Sequence, residues 1–186
     1  MILETERMIL RPWRESDAPA LFEYASDERV GPAAGWNVHK SVEESLEIIR
    51  TVFSKDGVFA VTLKGEDKAI GCIGVTRGAD SNFPIGDDEG EIGYWIGVPF
   101  WGRGLIPEAA HELIRYSFEE LKLKNLWCGY FDGNLKSKRV QEKCGFQPHH
   151  TGERQYWPLT DDWRIEHVTI LPRESWISSA QSPSEP

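Results

Sequence analysis

No stretch of this 186-residue chain approaches the ~20 consecutive apolar residues that a membrane-spanning helix needs. The opening MILETERMILRP brings in charge too early for a secretory signal. A membrane partner is therefore not expected, and a cytoplasmic location is. Cysteine is scarce. Cys72, Cys128 and Cys144 stand far apart, with no C-x-x-C and no Cys/His cluster, which argues against a metal site and against a disulfide framework. Reduced, partly buried thiols are the plain reading. Basic residues are outnumbered, 21 Lys and Arg against 30 Asp and Glu, for a net charge of −9. Nucleic acid is accordingly not an expected partner, because it wants a basic stripe. The same balance suits an amine-bearing partner and would steer one inward, or it simply keeps the chain soluble. The G-x-G-x-x-G dinucleotide fingerprint, the P-loop pattern and any internal repeat are also missing.

What is present is organised around Glu91 to Ala110, EIGYWIGVPFWGRGLIPEAA. It reads as a strand, with Glu91, Gly93, Trp95 and Gly97 on one face and Ile92, Tyr94, Ile96 and Val98 on the other. It ends as a helix with an inner stripe of Ile106, Ala110, Leu113, Ser117 and Leu121. Between them Trp101-Gly102-Arg103-Gly104 makes a tight turn with unobstructed backbone. A helix beginning there points free N–H groups and the positive end of its dipole into the turn, a site for a phosphate or diphosphate. An ordinary strand-to-helix turn has the same look, since a lone G-x-G is a weak signal.

The rest divides into short elements. Met8 to Trp13 is a strand, and Ser16 or Asp17 caps a helix to about Ser26. Gly31 to Lys40 is a loop, and Ser41 with Glu44 is a capping box opening a second helix. Val58–Leu63 and Ala69–Val75 form a hairpin. The segment from Arg77 to Gly90 is a polar loop. Leu126–Phe131 is a strand parallel to Glu91–Val98, and Asn134 caps a short helix stopping at Gly145. Phe146–Trp157 and Trp163–Leu171 form a final hairpin. Residues 1–176 make one domain, and the polar tail 177–186 is expected to be disordered.

This order, with W-G-R-G at the exit of the central strand, resembles the GNAT acetyltransferases. So does Asn134-Leu-Lys-Ser137-Lys-Arg-Val140-Gln-Glu-Lys143-Cys-Gly145-Phe146, which is similar to their N-x-x-S-x-x-v-x-e-k-x-G-F segment. The opening Leu3 to Trp13 and the closing Trp163 to Trp176 look like the RimJ/RimL-type branch, which acetylates ribosomal-protein N-termini. The resemblance spans about Leu3 to Trp176. It implies an α+β fold, an α/β/α sandwich with a mixed seven-stranded sheet and about four helices. It departs from the superfamily pattern R/Q-x-x-G-x-G/A at Trp101 and Ile106, and where many members carry a tyrosine this chain has Ser137.

The resemblance implies transfer of acetyl from acetyl-CoA to a primary amine, with a protein or peptide N-terminus as first choice. A small amine such as a polyamine or aminoglycoside, or a non-catalytic acyl-CoA-binding module, are the other readings. By resemblance the amides of Gly102, Arg103, Gly104, Leu105 and Ile106 hold the diphosphate, backbone near Ile96 and Val98 holds the pantetheine arm, and Asn134 bonds that arm from the other side. No metal is implied. Ser137 is placed to stabilise the leaving thiolate, and Glu91 is the candidate base. Ser137 and Asn134 read equally as a first-turn residue and a plain N-cap, and Glu91 as a solvated strand-start acid. His39 and His111 have an apt pKa for a base. Glu108, one turn into the helix, would repel a diphosphate and is expected to face away. The acceptor pocket is expected from the 31–40 loop, the 77–90 loop and the last hairpin, with Trp36, Trp157, Asp87, Asp88 and Glu89 as an aromatic and anionic funnel and Glu166 on its wall. A homodimer is left open.

Overall fold

The computed structural model describes residues 1–181. The strands are β1 (Leu3–Glu4), β2 (Met8–Arg11), β3 (Val58–Leu63), β4 (Ala69–Arg77), β5 (Glu89–Ile96), β6 (Asn125–Phe131), β7 (Gln147–Thr151), β8 (Gln155–Trp157), β9 (Asp162–Arg164) and β10 (Glu166–Pro172). The helices are α1 (Ala18–Ala25), the single turn α2 (Gly31–Ala34), α3 (Val42–Ile48), α4 (Leu105–Glu119), α5 (Leu135–Lys143) and α6 (Arg173–Gln181). The main sheet has eight strands in the order β1-β2-β3-β4-β5-β6-β10-β7. Its pairs are antiparallel except β5 with β6.

Helix and strand faces follow from side-chain alternation. Trp95 on β5 packs against Trp13 and Trp36, and Trp13 stacks on Phe53 just past α3. Its neighbour Tyr94 instead bonds to Ser137 on α5. Successive strand residues point to opposite faces, so α1 and α3 cover one face while α4 and α5 cover the other. β4, buried from Ala69 through Val75, runs through the middle of both layers. Its Ile70, Ile73 and Val75 join Ile92, Leu113, Ile114, Phe118 and Leu126 in one core.

The structure departs from the sequence reading at the ends. There are eight main-sheet strands where seven were expected, because the Thr5–Met8 turn adds β1 at the edge. The described residues hold six helices rather than about four. One extra is the α2 turn inside the expected 31–40 loop. Another is α6, which puts residues 177–181 of the expected disordered tail into a helix seated on α4 through Trp176 and Phe118, ring centroids 5.3 Å apart. The remainder of that tail lies outside the described residues. The final hairpin is really two units. β7 pairs with β10, and the chain between them folds on itself as the separate β8–β9 pair.

Candidate active site

β5 and β6 pair in parallel only at Glu89–Asn125, Gly90–Leu126 and Glu91–Trp127. Beyond Glu91 the strands splay apart, and the opening is a cleft of about 1410 Å³. One end is lined by Gly102, Gly104 to Pro107 and α5. The other is lined by Asn82, Glu91, Trp157, Trp163 and Glu166. The cleft thus joins the Gly-rich turn to the last hairpin through the sheet.

At the first end Gly102 and Gly104 take φ of +73° and +72°, conformations that only glycine holds without strain. Gly104 is the N-cap of α4. The N–H groups of Leu105 and Ile106 in the first turn have no intrahelical acceptor, and nothing crowds the space above Gly102. Lys136, Arg139 and Lys143 line the same region, and no carboxylate pairs with them among the described residues. Glu108 is drawn the other way. Its carboxylate accepts from Thr5 Oγ1 (2.6 Å), Arg7 N (2.9 Å) and Arg7 Nε (2.6 Å), so it faces away from the turn as expected. This donor set, amides plus unpaired cations with the nearby carboxylate turned aside, fits a diphosphate.

Trp101, out of pattern in the sequence, has a local reason. Its indole N–H donates to the Ile96 carbonyl at 2.8 Å, closing the loop between β5 and α4. Lys136 Nζ sits 3.5 Å from its ring centroid, a cation–π contact. The Ile96 carbonyl is therefore already engaged inside the protein. Val98 begins a single 3₁₀ turn, where its N–H has no intrahelical acceptor.

Asn134 caps α5, its Oδ1 accepting from Ser137 N at 3.2 Å. Its Nδ2 reaches across the cleft to the Ala33 carbonyl at 3.1 Å. Ser137 Oγ lies 2.9 Å from the Tyr94 hydroxyl and accepts from Gln141 Nε2 at 3.2 Å. Asn134, Ser137 and Tyr94 thus meet on one wall of the cleft.

The two carboxylates at the other end differ. Glu91 accepts from Ser81 Oγ (2.8 Å), Asn82 N (2.7 Å) and Asn82 Nδ2 (3.1 Å). These three hydrogen bonds hold the 81–82 loop in place. No donor among the described residues reaches the Glu166 carboxyl. A Cβ on Gly129 would collide with Glu166 Oε1, and Phe83 lies over the same glycine. Gly129 thus makes the room in which Glu166 sits half-buried. Burial, with repulsion from Glu91 as the smaller cause, pushes the Glu166 carboxyl up to about 7. A raised carboxyl in a cleft is the usual mark of an acid–base group.

Other expected residues fall elsewhere. His39 is 8% exposed, with Nδ1 2.8 Å from Ser45 Oγ, and packs on Trp36. Burial lowers its pKa, and neither it nor Trp36 lines the cleft. His111 is exposed on the outer side of α4. Asp88 pairs with Lys124, and Glu89 accepts from Gly86 N and Asn125 Nδ2. The expected funnel of Asp87, Asp88 and Glu89 is not on the cleft wall, and its acidic lining is Glu91 with Glu166 instead. Glu166, expected on the pocket wall from its place on the last hairpin, does line the cleft.

Residues 7–147 match the family described as acetyltransferase (GNAT) domain. Over 151 residues the chain is 30% identical to "Uncharacterized N-acetyltransferase YoaA" of Bacillus subtilis (strain 168), covering 78% of this chain and 82% of that protein. Among solved structures it is similar to an acetyltransferase (GNAT family) from Bacillus anthracis, with TM-score 0.82 and 25% identity over 94% of this chain and 99% of the other. The ribosomal-protein-S5-alanine acetyltransferase from Vibrio fischeri has the same fold, with TM-score 0.71 and 22% identity over 95% and 98% of the two chains.

Proposed function

Because the chain belongs to the GNAT family and is an N-acetyltransferase, we propose that it acetylates the α-amine of a polypeptide N-terminus in the cytoplasm, with acetyl-CoA as donor and Glu166 as base. The observation that carries this reading is the Glu166 carboxyl, poised at about 7 in the splay between β5 and β6. An α-ammonium group has a pKa of about 8 and a lysine or polyamine ammonium about 10.4. Deprotonation by a base near 7 is uphill by about one unit in the first case and more than three in the second, a difference of roughly 3 kcal/mol. That lower cost, which belongs to the amine whatever the base, supports an N-terminus as the acceptor over a polyamine. The fold shared with the S5-alanine enzyme agrees with a protein acceptor.

Bound acetyl-CoA would supply a thioester carbonyl as the electrophile. The amides of Gly102, Arg103, Gly104, Leu105 and Ile106 would hold its diphosphate, with Asn134 and backbone at Val98 along the arm. Glu166 takes a proton from the acceptor ammonium, leaving the neutral amine that can attack. Glu91 acts on Glu166 by raising its proton affinity and fixing the 81–82 loop. The Val98 N–H is a donor for the oxygen that gains charge in the transition state. The Ser137 hydroxyl offers a hydrogen bond to the departing sulfur.

Two measurements test this. Acetyl-CoA should raise the melting temperature in proportion to the logarithm of its concentration, while NAD and ATP should not. Thiol release should then follow addition of a peptide with a free N-terminus and not of its Nα-acetylated form carrying a lysine. Turnover of the blocked peptide, or of polyamines alone, would remove the N-terminal reading and leave a small-amine enzyme. Binding with no turnover of any amine would leave an acyl-CoA-binding module. Ser137→Ala is a clean probe of the leaving-group step. Tyr94 OH keeps the Ser137 carbonyl (3.2 Å) and Gln141 keeps the Gly129 carbonyl (2.9 Å), so the fold loses little. The expected result is a kcat lowered about tenfold or more, with acetyl-CoA affinity nearly intact. Equal loss in both would assign Ser137 to binding instead.

A further inference from the structure

Gln141 is a polar side chain only 2% exposed. It stands in α5 one turn on from Ser137, behind the cleft wall to which Ser137 and Tyr94 belong. A buried amide needs partners at both of its ends. Its Nε2 donates to the Gly129 carbonyl at 2.9 Å and to Ser137 Oγ at 3.2 Å. Its Oε1 accepts from Thr169 Oγ1 at 2.8 Å, a hydroxyl that also lies 3.1 Å from the Cys128 carbonyl. The Gly129 carbonyl can only accept, so the nitrogen end of the amide must face it. The second hydrogen on that nitrogen is then directed at Ser137 Oγ. β6 and β10 thus set which way the amide points.

A serine hydroxyl has one hydrogen to give and two lone pairs that accept. At Ser137 the Gln141 amide fills the first lone pair. The other neighbour is Tyr94, whose hydroxyl lies 2.9 Å from Ser137 Oγ and 3.2 Å from the Ser137 carbonyl. Among the described residues Ser137 Oγ has no further hydrogen-bond partner. Two arrangements satisfy these distances. In one, Ser137 donates to the Tyr94 oxygen and Tyr94 donates to the Ser137 carbonyl. In the other, Tyr94 donates to Ser137 Oγ, both lone pairs are filled, and the Ser137 hydrogen has only the cleft to point into. The two hydroxyls pass from one to the other by rotation, with no heavy atom moving and no bond to hydrogen broken. Burial raises the Tyr94 phenol above its ordinary value, so it keeps the hydrogen it donates.

We propose that Gln141 and Tyr94 are positioning residues for the departing sulfur: Gln141 always donates to Ser137 Oγ, Tyr94 does so as the thiolate forms, and the Ser137 hydrogen is thereby aimed at the sulfur. This deepens the reading in which Ser137 serves the leaving group, and rests on it. The first arrangement is closed on itself and suits the free enzyme. A developing thiolate favours the second, because a hydrogen bond to a charged acceptor is roughly twice as strong as one between neutral groups. Two donors on Ser137 Oγ also polarise its O–H and strengthen that bond further.

The test is a pair of double-mutant cycles in the intact protein. The quantity read is the single-turnover rate of thiol release from acetyl-CoA, with the free-N-terminus peptide as acceptor, or a polyamine if only that is turned over. Tyr94→Phe and Gln141→Met should each slow transfer by about three- to tenfold, the worth of one neutral hydrogen bond. The acetyl-CoA affinity read from thermal shifts should stay unchanged. In the Ser137→Ala background neither substitution should slow transfer further, because the hydroxyl they aim is gone. Tyr94→Phe keeps the ring and removes one oxygen, so it carries the cycle should Gln141→Met unfold. For either residue, an equal loss with and without Ser137 would mean that it acts on packing, and no loss in the protein that keeps Ser137 would mean that its bond is idle. Both results overturn its positioning role and leave Ser137 in place. If Ser137→Ala itself transfers as fast as the wild type, the leaving-group reading falls and the positioning falls with it.

Discussion

Glu166→Gln should lower kcat/KM for an N-terminal peptide by about 10²–10⁴-fold, the range a positioned base supplies. In the wild type kcat/KM should rise with unit slope as pH approaches about 7 and level off above it, following the carboxyl whose pKa burial and Glu91 raise. The variant should show no such inflection. Glu91→Gln should keep the inflection but move it to lower pH, because it removes the repulsion that helps raise Glu166. If Glu91 were the base, Glu91→Gln would abolish the inflection and Glu166→Gln would merely shift the activity. Stability supplies a second readout of opposite sign. The folded pKa lies above the unfolded value, so the carboxyl's contribution is fully present below the unfolded pKa and is lost as pH rises through about 7. Glutamine carries no such penalty. Glu166→Gln should therefore melt higher than the wild type at pH 8, by about 1–2 kcal/mol once partial exposure is allowed for, and the two should agree near pH 4. A variant that is less active and also less stable at pH 8 would mark Glu166 as structural.

The elements that build the cofactor end were legible because their signals are local. Period-two alternation in EIGYWIG, a switch to helical spacing after PEAA, and two glycines between them need no distant partner to be read. The Asn134 cap is equally local, since Asn134 Oδ1 meets an N–H three residues on. The acceptor end was less legible because its chemistry is assembled from separate elements. Glu166 on β10 owes its raised pKa to room made by Gly129 on β6, cover from Phe83 in a loop, and charge from Glu91 on β5. None of these is near it in sequence. Glu91 was chosen for its place at the head of the central strand and His39 for its residue type. Three donors from the 81–82 loop occupy the one, and packing between α1 and α3 buries the other. The β8–β9 pair was hidden because Phe146–Trp157 reads as one strand. The chain breaks it at Gly152, whose N–H turns to the Glu166 carbonyl at 2.8 Å.

Arg11→Ala should destabilise the protein by about 3–5 kcal/mol, the cost of stranding a buried charge. Arg11 and Asp17 have side chains only 3% and 7% exposed. Their contact is bidentate, Nη1 to Oδ2 at 2.7 Å and Nη2 to Oδ1 at 2.8 Å. Arg11 also gives Nε to Asp67 Oδ1 and Nη2 to the Asp67 carbonyl, both at 2.8 Å. Alanine leaves the Asp17 carboxylate with the Arg14 N–H (2.9 Å) as its remaining partner, and leaves the Asp67 carbonyl without its guanidinium donor. The consequence reaches the site. This pair fixes the end of β2 to the start of α1, and α1 leads through Val30 into the α2 turn that Asn134, Trp157 and Arg164 hold over the cleft. Urea unfolding should show the full loss, and melting should fall by roughly 10 °C. The double variant Arg11→Met with Asp17→Leu should recover much of it, since two apolar groups of similar size leave no buried charge unpaired. A single-variant loss below about 1 kcal/mol, the range of an exposed pair, would mean that water reaches Asp17, and that packing of Trp13 and Leu21 in the core holds the entry to α1 without the ion pair.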